Sequence, residues 1–263
     1  MALLSFICTT CGTGYAPATQ PPATCAVCED ERQYVNPLGQ SWTTLKQLNR
    51  THKNIIDKVG EGLYALYTAS DFAIGQRAHL LKTPDGNILW DCIANLDATT
   101  MELIHALGGI QKMALSHPHY YTTMAEWSQA FRAPVYIHQR DAGWIPRRDF
   151  DLQLWDGLKT ELLPGVTLIN SAGHFDGGAV LHYDRLLLVG DIIQVAPNLK
   201  TASFMYSYPN NIPLDKKSIL HIRDSLEGVT FDAMYGAFGR YITQQARKAF
   251  DDSIARYLKI FEL

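Results

Sequence analysis

Two histidines, His117 and His119, stand on either side of one proline, directly after the short apolar run of residues 112–116. Imidazoles at alternate positions just past the end of a strand can bind the same metal ion, because both rings reach the same side of the chain. The next two residues are Tyr120 and Tyr121. Neither supplies a carboxylate or an imidazole, so the stretch predicts a two-histidine clamp followed by aromatic residues.

Two further candidate ligands follow predicted strands. His174 lies in "INSAGHFDGG", and Asp191 ends the apolar run "RLLLVGD", where Gly190 lets the backbone turn. Three imidazoles and one carboxylate at strand ends predict a site for one Zn²⁺ or Fe ion. The other histidines are interpreted as ordinary polar or solvated residues; those considered are His105, His138, His182 and His221.

A second candidate metal site lies near the start of the chain, where four cysteines follow the spacing C-x2-C-x13-C-x2-C; they are Cys8, Cys11, Cys25 and Cys28. Two C-x-x-C loops brought together place four thiolates around one Zn²⁺ or Fe ion. A disulfide cluster and a redox-active C-x-x-C remain as alternatives; the absence of a secretory signal and of a βαβ context favours the metal.

This cysteine segment resembles a zinc ribbon or rubredoxin-type knuckle. It is too short to bury a core, so the metal is expected to hold it together. The predicted organisation is a small segment of residues 1–34, followed by a larger domain of residues 35–263. The fifth cysteine, Cys92, sits in the strand-like run "NILWDCIAN" and is interpreted as a buried small hydrophobe.

Composition limits the classes of partner. The 263-residue chain is 47% hydrophobic and 19% charged with a formal net charge of −3, which fits a sizeable core and gives no electrostatic indication of nucleic acid or an anionic membrane. The opening "MALLSFIC" is too short for a signal peptide, and no stretch approaches the roughly 20 apolar residues of a membrane span. We therefore expect a cytoplasmic enzyme that acts on a small molecule. A protein partner or a homodimer formed through the cysteine segment remains an option.

Hydrophobic patterning predicts an α/β (α+β) protein with two groups of strands. The run "RAHLLKT-PDG-NILWDCIA" predicts a hairpin, and so does "GAVLHY-DR-LLLVGD". Helices are predicted for "MAEWSQAF", for "KSILHIRDSL" and for the amphipathic stretch near the C-terminus. A capping-box pattern at Thr99 to Glu102 predicts the start of another helix, which Gly108 and Gly109 end. Two groups of strands, each with helices, favour two sheets sandwiched between helices.

Several of these landmarks together resemble the metallo-β-lactamase superfamily over about residues 55 to 260. They are "ILWDC" with "NLDATT", "ALSHPHYY", "PVYIHQRD", "LPGVTLINSAGHFDGG" and "RLLLVGDII", in the order of that family. The resemblance implies a four-layer αββα sandwich with the site at one edge between the sheets. It also implies that His117, His119 and His174 bind the first metal of the family and that Asp191 is the residue that bridges two metals.

The chain departs from the family pattern at every ligand that belongs to the second metal alone. Where the family has His-x-His-x-Asp-His, the Asp and His positions fall within Tyr120, Tyr121 and Thr122, and Phe238 stands at the position of the late histidine. The prediction is therefore a mononuclear centre, with aromatic residues where the second metal would be.

A single Zn²⁺ lowers the pKa of its water toward roughly 7 and polarises a carbonyl, which suits hydrolysis of an ester, thioester or lactam. Asp191 would orient the water, and Tyr120 or Tyr121 would donate a proton or hydrogen bond to the leaving group. The alternatives are a non-haem Fe(II) enzyme like the persulfide dioxygenases, a non-catalytic metal-binding or interaction protein, and electron transfer through a rubredoxin-like iron.

No substrate-binding residue is assigned from the sequence. The loops expected over the metal are "SFMYSYPNNIPLDKKS" and "QRDAGWIPRRDFD". The second carries Trp144, Arg147 and Arg148, and its arginines either hold an acidic substrate or belong to a solvated loop.

Overall fold

Residues 2–262 are described by a computed structural model. Within that range, no helix combines the length and the apolar character needed to cross a membrane.

The N-terminal region is joined to the rest of the chain by backbone pairing. Strand β1 (Ile7–Cys8) pairs antiparallel with β2 (Trp42–Thr43), and the two are separated by the short helix α1 (Ala26–Glu29). Helix α2 (Leu45–Thr51) follows β2 and was not predicted. Because β1 lies within residues 1–34 and β2 beyond them, the two predicted units share this small sheet; the division at residue 34 stays a prediction.

A first large sheet has seven strands in the order in which they follow along the chain. They are β3 (Lys53–Gly60), β4 (Leu63–Ala69), β5 (Ala78–Thr83), β6 (Gly86–Trp90), β7 (Lys112–Ala114), β8 (Val135–His138) and β9 (Leu152–Trp155). The strands from β3 to β6 pair antiparallel, and those from β6 to β9 pair parallel. Two helices connect the parallel strands: α3 (Ala98–Ala106) and α4 (Met124–Phe131).

The second half of the chain forms a six-stranded sheet and two small two-stranded ones. The strands are β10 (Lys159–Leu163), β11 (Val166–Asn170), β12 (Ala179–Tyr183), β13 (Leu186–Gly190), β14 (Gln194–Val195), β15 (Ala202–Ser203), β16 (Met205–Ser207), β17 (Ile212–Pro213), β18 (Ala233–Gly236) and β19 (Tyr241–Ile242). The large sheet has the order β10-β11-β12-β13-β18-β19, and β14 pairs with β15 and β16 with β17. Helix α5 (Lys216–Ser225) and helix α6 (Ala246–Ile260) complete the chain.

Three apolar clusters show that the elements stack in four layers. The central cluster joins residues of both large sheets, such as Trp90 and Leu188. An outer cluster packs α3 and α4 on the first sheet through Ile104 and Trp127, and another packs α5 and α6 on the second sheet. The predicted sandwich of two sheets between helices is confirmed.

Both predicted hairpins are present, but the start of α3 differs from the prediction. Thr99 lies inside the helix, and the N-cap is Asp97, whose carboxylate accepts hydrogen bonds from the backbone N–H and the hydroxyl of Thr100, both at 2.8 Å. The capping box was therefore wrong. Asp97 caps the first turn of the helix two residues before the predicted position, and an aspartate is as effective as a threonine at an N-cap.

Candidate metal centre

The four predicted ligands of the histidine centre are brought together at one edge of the sandwich, because each follows a strand that ends there. His117 and His119 follow β7, His174 follows β11, and Asp191 directly follows β13. All four side chains are buried, and their ligand atoms lie within 4.8 Å of one another. The structure thus brings together the four residues that the sequence singled out as candidate ligands. We call these four residues the histidine centre.

Close packing beneath the centre explains why glycine precedes Asp191. Gly190 has φ +50, and a Cβ there would lie 2.5 Å from Oγ of Ser116. The backbone N–H of Ser116 donates to Oδ1 of Asp91 at 2.7 Å, and its hydroxyl is 2.8 Å from Nδ1 of His117. Gly190 thus lets β13 approach the residue that positions His117. The sequence singled out the glycine, but not Ser116.

Distances between the ligand atoms fit a single tetrahedral ion. Nε2 of His174 lies 3.3 Å from Nδ1 of His119, and Nε2 of His117 lies 3.5 Å from Oδ2 of Asp191. The distance from Nδ1 of His119 to the same Oδ2 is 3.9 Å. Ligands about 2.0–2.1 Å from a tetrahedral ion are separated by roughly 3.3–3.4 Å. Nε2 of His117 and Oδ1 of Asp191 are buried without a hydrogen-bond partner in residues 2–262, which fits a site that binds an ion or water.

The protonation states also suit a cation. Burial lowers the pKa of His117 to about 4 and that of His174 well below its usual value, so both imidazoles are neutral at pH 7. Nδ1 of His174 lies 3.0 Å from the carbonyl oxygen of Met205, which can only accept, so this nitrogen carries the proton and Nε2 presents its lone pair. For Asp191, burial acts to raise the pKa, but the neighbouring imidazoles of His117 and His119 lower it below its usual range, so the carboxylate is ionised.

The four cysteines form a second candidate centre, which we call the cysteine centre. The Cys8 and Cys28 sulfurs are 3.6 Å apart, as are those of Cys11 and Cys25, and all four are within 4.8 Å of one another. Thiolates bound about 2.3 Å from a tetrahedral ion are separated by roughly 3.8 Å. The cysteines are free, and the separations exceed the roughly 2.05 Å of a disulfide bond, so the disulfide alternative does not hold here.

Hydrogen bonds from neighbouring residues support the cysteine centre. Nε2 of Gln40 donates to Sγ of Cys8 at 3.2 Å, and the Tyr15 hydroxyl donates to Sγ of Cys25 at 3.3 Å. The hydrogen bond with Cys11 lowers the pKa of Cys25 to about 7, and the same hydrogen bond raises the pKa of Cys11, because one sulfur of the pair holds the proton that the other accepts.

A cavity of about 520 Å³ opens onto the histidine centre. Its lining residues come from seven parts of the chain; they are Gln33, Tyr34, Ala73, Ile74, His119, His174, Asp191, Gln194, Tyr208, Pro209, Phe238 and Arg240. Gln33 and Tyr34 were missed because they lie in the predicted cysteine segment, which gave no indication that it covers the site. Arg240 could have been found, since it follows Phe238 in the turn where the family has its late histidine.

The three aromatic residues predicted near the metal lie in different surroundings. Phe238 lines the cavity. Tyr120 is buried with its ring centroid 5.3 Å from that of His117, but it does not line the cavity. Tyr121 lies in the core beneath the first sheet, and its hydroxyl donates to the carbonyl oxygen of Asp141 at 3.5 Å. The structure therefore does not bring Tyr121 to the site, because the turn after His119 directs this side chain inward.

Thr122, which stands where the family motif has its second-metal histidine, faces the cysteine segment. Thr122 is buried, its carbonyl accepts a hydrogen bond from the backbone N–H of Gly14 at 2.7 Å, and a Cβ at Gly12 would lie 3.3 Å from its methyl group. Within residues 2–262, groups of three or more potential metal-binding side chains occur only at the histidine and cysteine centres.

The loop of residues 139–151 does not place its arginines in the cavity. Arg147 is buried and forms ion pairs with Glu126 at 2.6 Å and with Asp149 at 2.5 Å, and it also donates to Ser5 at 3.1 Å. Arg148 donates to the carbonyl oxygen of Ala142. Neither residue holds a substrate at this cavity. Arg240 is the arginine on the cavity wall.

Other residues considered from sequence lie outside the histidine centre. Cys92 is buried in an apolar cluster, as interpreted. Among the ordinary histidines, Nε2 of His138 contacts the Gly157 carbonyl oxygen and Nε2 of His182 that of Thr230, at 3.1 and 3.0 Å.

Asp141 supports the loop that carries His174 and predicts a pH effect on stability. Its Oδ1 accepts from the backbone N–H of Gly177 at 2.8 Å, and burial raises its pKa to about 7. The folded chain therefore holds a proton there that the unfolded chain releases near pH 4, so the contribution to stability is lost as pH rises from about 4 to about 7. We expect Asp141→Asn to flatten this decline, by a few kcal/mol at most, in urea unfolding at pH 5 and pH 8; an unchanged pH dependence would contradict it.

Comparison with known proteins agrees with this fold. No model of a protein family matches the chain. Solved structures that resemble it include the metallo-β-lactamase DIM-1 (TM-score 0.57, 13% identity, 78% of this chain and 98% of that one). They also include the metallo-β-lactamase FIM-1 from Pseudomonas aeruginosa in its mono-zinc form (0.54, 13%, 75% and 96%) and a flavoprotein from Thermotoga maritima (0.53, 13%, 78% and 61%).

The chain is thus a metallo-β-lactamase-fold protein with two candidate metal centres. It belongs to the family of the "Uncharacterized protein YmaE" of Bacillus subtilis (strain 168), to which it is 44% identical over 262 residues, covering 97% of this chain and 96% of that protein.

Proposed function

We propose that the protein is a metal-dependent hydrolase that holds one ion in the histidine centre and cleaves an ester, thioester or lactam of a small molecule. The observation that carries the proposal is the set of three imidazoles and one ionised carboxylate with ligand atoms within 4.8 Å of one another; His119, His174 and Asp191 of this set line a cavity of about 520 Å³. Zinc held by these four groups would need to accept one further ligand, as catalytic zinc sites can, and it would then polarise a carbonyl group or lower the pKa of a bound water toward about 7.

Asp191 is the residue best placed to orient the attacking water. Its Oδ2 faces His117 and His119, whereas Oδ1 has no hydrogen-bond partner in residues 2–262. Because its pKa is held below the usual range, Oδ1 is an acceptor at neutral pH. The hydroxyl of Tyr208 donates to the backbone carbonyl oxygen of Asp191 at 3.0 Å and so supports the carboxylate.

Two cavity residues are assigned to the substrate. Tyr34 takes the role of leaving-group donor that the sequence prediction gave to Tyr120 and Tyr121, because the other tyrosine on the cavity wall, Tyr208, donates its hydroxyl to the backbone of Asp191. Arg240 is exposed on the same wall and would attract an anionic group of the substrate.

A single ion is supported by the replacements at the second-metal positions. Thr122 faces the cysteine segment and Phe238 faces the cavity, and neither supplies the anionic or imidazole groups that offset desolvation of a second divalent cation. We also place the protein in the cytoplasm, since four free thiols that form a metal centre require a reducing compartment.

The test is hydrolysis by the zinc-loaded full-length protein of a panel of nitrophenyl esters, acyl thioesters and a chromogenic cephalosporin. At least one class should be cleaved, and Asp191→Asn should lower kcat/KM by roughly 100-fold or more. Wild-type activity in Asp191→Asn would remove that residue from the mechanism.

Failure to cleave any class with the histidine centre filled would contradict the hydrolase. If the Fe(II)-loaded protein instead consumed O₂ with a persulfide, the dioxygenase alternative would replace it.

A further inference from the structure

A single buried side chain connects the two candidate centres. The amide nitrogen Nε2 of Gln76 donates to the carbonyl oxygen of Cys11 at 3.2 Å and to that of His119 at 3.4 Å. Gln76 is only 4% exposed, so water does not replace its amide as the hydrogen-bond donor to these two carbonyl oxygens. One residue thus holds the backbone of a cysteine-centre ligand and the backbone of a histidine-centre ligand at a fixed separation.

A second connection runs through Arg32, four residues after the last cysteine of the cysteine centre. Its guanidinium lies 3.9 Å from the ring centroid of Phe175, and its Nη1 donates to the carbonyl oxygen of His174 at 3.4 Å. Asp30 holds the guanidinium with hydrogen bonds of 2.6 and 2.8 Å. The hydroxyl of Ser207 donates to the carbonyl oxygen of Arg32 at 3.1 Å, which fixes the backbone as well.

Phe175 transmits this contact to the whole histidine centre. Its ring centroid lies 5.5 Å from that of His117, 5.0 Å from His119 and 5.2 Å from His174. A shift of this ring would change the space available to all three imidazoles, and the guanidinium of Arg32 packs on the ring.

We propose that Gln76 and Arg32 are positioning residues that couple the two centres, so that a metal ion in the cysteine centre raises the metal affinity of the histidine centre. The cysteine ion orders residues 8–28, and the ordered segment presents the Cys11 carbonyl to Gln76 and Arg32 to Phe175. By reciprocity, an ion in the histidine centre raises the affinity of the cysteine centre by the same factor. The inference rests on the metal binding of the proposed function but not on hydrolysis, so the two can fail separately.

The experiment uses full-length protein with Zn²⁺ in the cysteine centre and Co²⁺ titrated into the histidine centre, followed by the d–d absorption of cobalt bound to nitrogen and oxygen. Gln76→Leu, which keeps the size but removes the donor, should weaken Co²⁺ binding by about 10- to 100-fold, the usual effect of losing a residue that orients a metal ligand. Arg32→Lys keeps the charge for Asp30 but loses the flat guanidinium over Phe175, and it should act in the same direction.

Gln40→Leu is the matched control, because its amide also reaches the cysteine centre but not the histidine centre. Its Co²⁺ affinity should stay within about threefold of the wild type. Equal weakening in Gln40→Leu and Gln76→Leu would show a general loss of order and would overturn the proposal.

The coupling itself is read from the zinc affinity of the cysteine centre, measured at equilibrium by competition with a chelator. In the wild type and in Gln40→Leu, filling the histidine centre should raise this affinity. In Gln76→Leu and in Arg32→Lys, the ratio of affinities with and without the second ion should approach one. Should either variant fail to fold, the other decides, and a wild type whose zinc affinity is the same with the histidine centre filled and empty refutes the coupling.

Discussion

Replacement of His174 by alanine should remove one metal ion from the full-length chain and abolish hydrolysis. His174 supplies Nε2, which lies 3.3 Å from Nδ1 of His119, and the remaining groups cannot complete a tetrahedral site. The loss of metal affinity should exceed the roughly 10- to 100-fold that removal of a residue hydrogen-bonded to a ligand costs. Metal content by mass spectrometry and kcat/KM for a cleaved substrate provide the measurement.

His182→Ala is the control for this variant. His182 lies on β12 and its Nε2 contacts the carbonyl oxygen of Thr230, away from both centres, so metal content and activity should be those of the wild type. If His174→Ala keeps a full complement of metal, the assignment of the histidine centre is wrong.

The second large effect is expected from the cysteine centre. Cys8→Ser combined with Cys11→Ser should remove the other ion and make residues 1–34 sensitive to protease, because the few apolar residues of this segment cannot order it without metal. The wall that Gln33 and Tyr34 give to the cavity should then be lost, and hydrolysis should fall with it. Limited proteolysis with mass spectrometry of the fragments, run beside the activity assay, measures both effects.

Cys92→Ala is the matched control, since Cys92 is a buried cysteine outside both centres. It should keep both ions and the protease resistance of residues 1–34. Equal protease resistance in the double serine variant after loss of its ion would contradict the view that metal orders the segment.

The members of both centres could be predicted from the sequence because each is encoded locally. His117, His174 and Asp191 follow apolar runs that end in turns. The cysteines form two C-x-x-C pairs, a spacing that is typical of four ligands of one metal ion. Strand ends at one edge of a sandwich bring such residues together whatever the details of packing. For the same reason the layers of the fold could be predicted from periodicity and turn residues.

The docking of the cysteine segment on the histidine centre could not be predicted in this way. Arg32 and His174 are 142 positions apart, and nothing in the spacing or periodicity near Arg32 indicates Phe175 as its partner. Gln76 looks like an ordinary loop glutamine, and its importance comes from burial between two backbone carbonyls that only the tertiary structure brings together.

The direction of a side chain in a tight turn also could not be predicted from the sequence. Residues 118–120 form one turn of 3-10 helix, and this turn sends Tyr121 into the core and Thr122 toward the cysteine segment. The resemblance to the family motif identifies the positions at which the ligands of a second metal would stand. It does not show that the space near them is closed by another part of the chain.

The measurement that tests the account most directly is the metal content of the histidine centre in a crystal grown with excess Zn²⁺, located by anomalous scattering. We predict one ion there, held by the three imidazoles and Asp191, and one in the cysteine centre, as the two ligand groups of residues 2–262 indicate. Two ions side by side in the histidine centre, with Asp191 shared between them, would contradict the single-metal account.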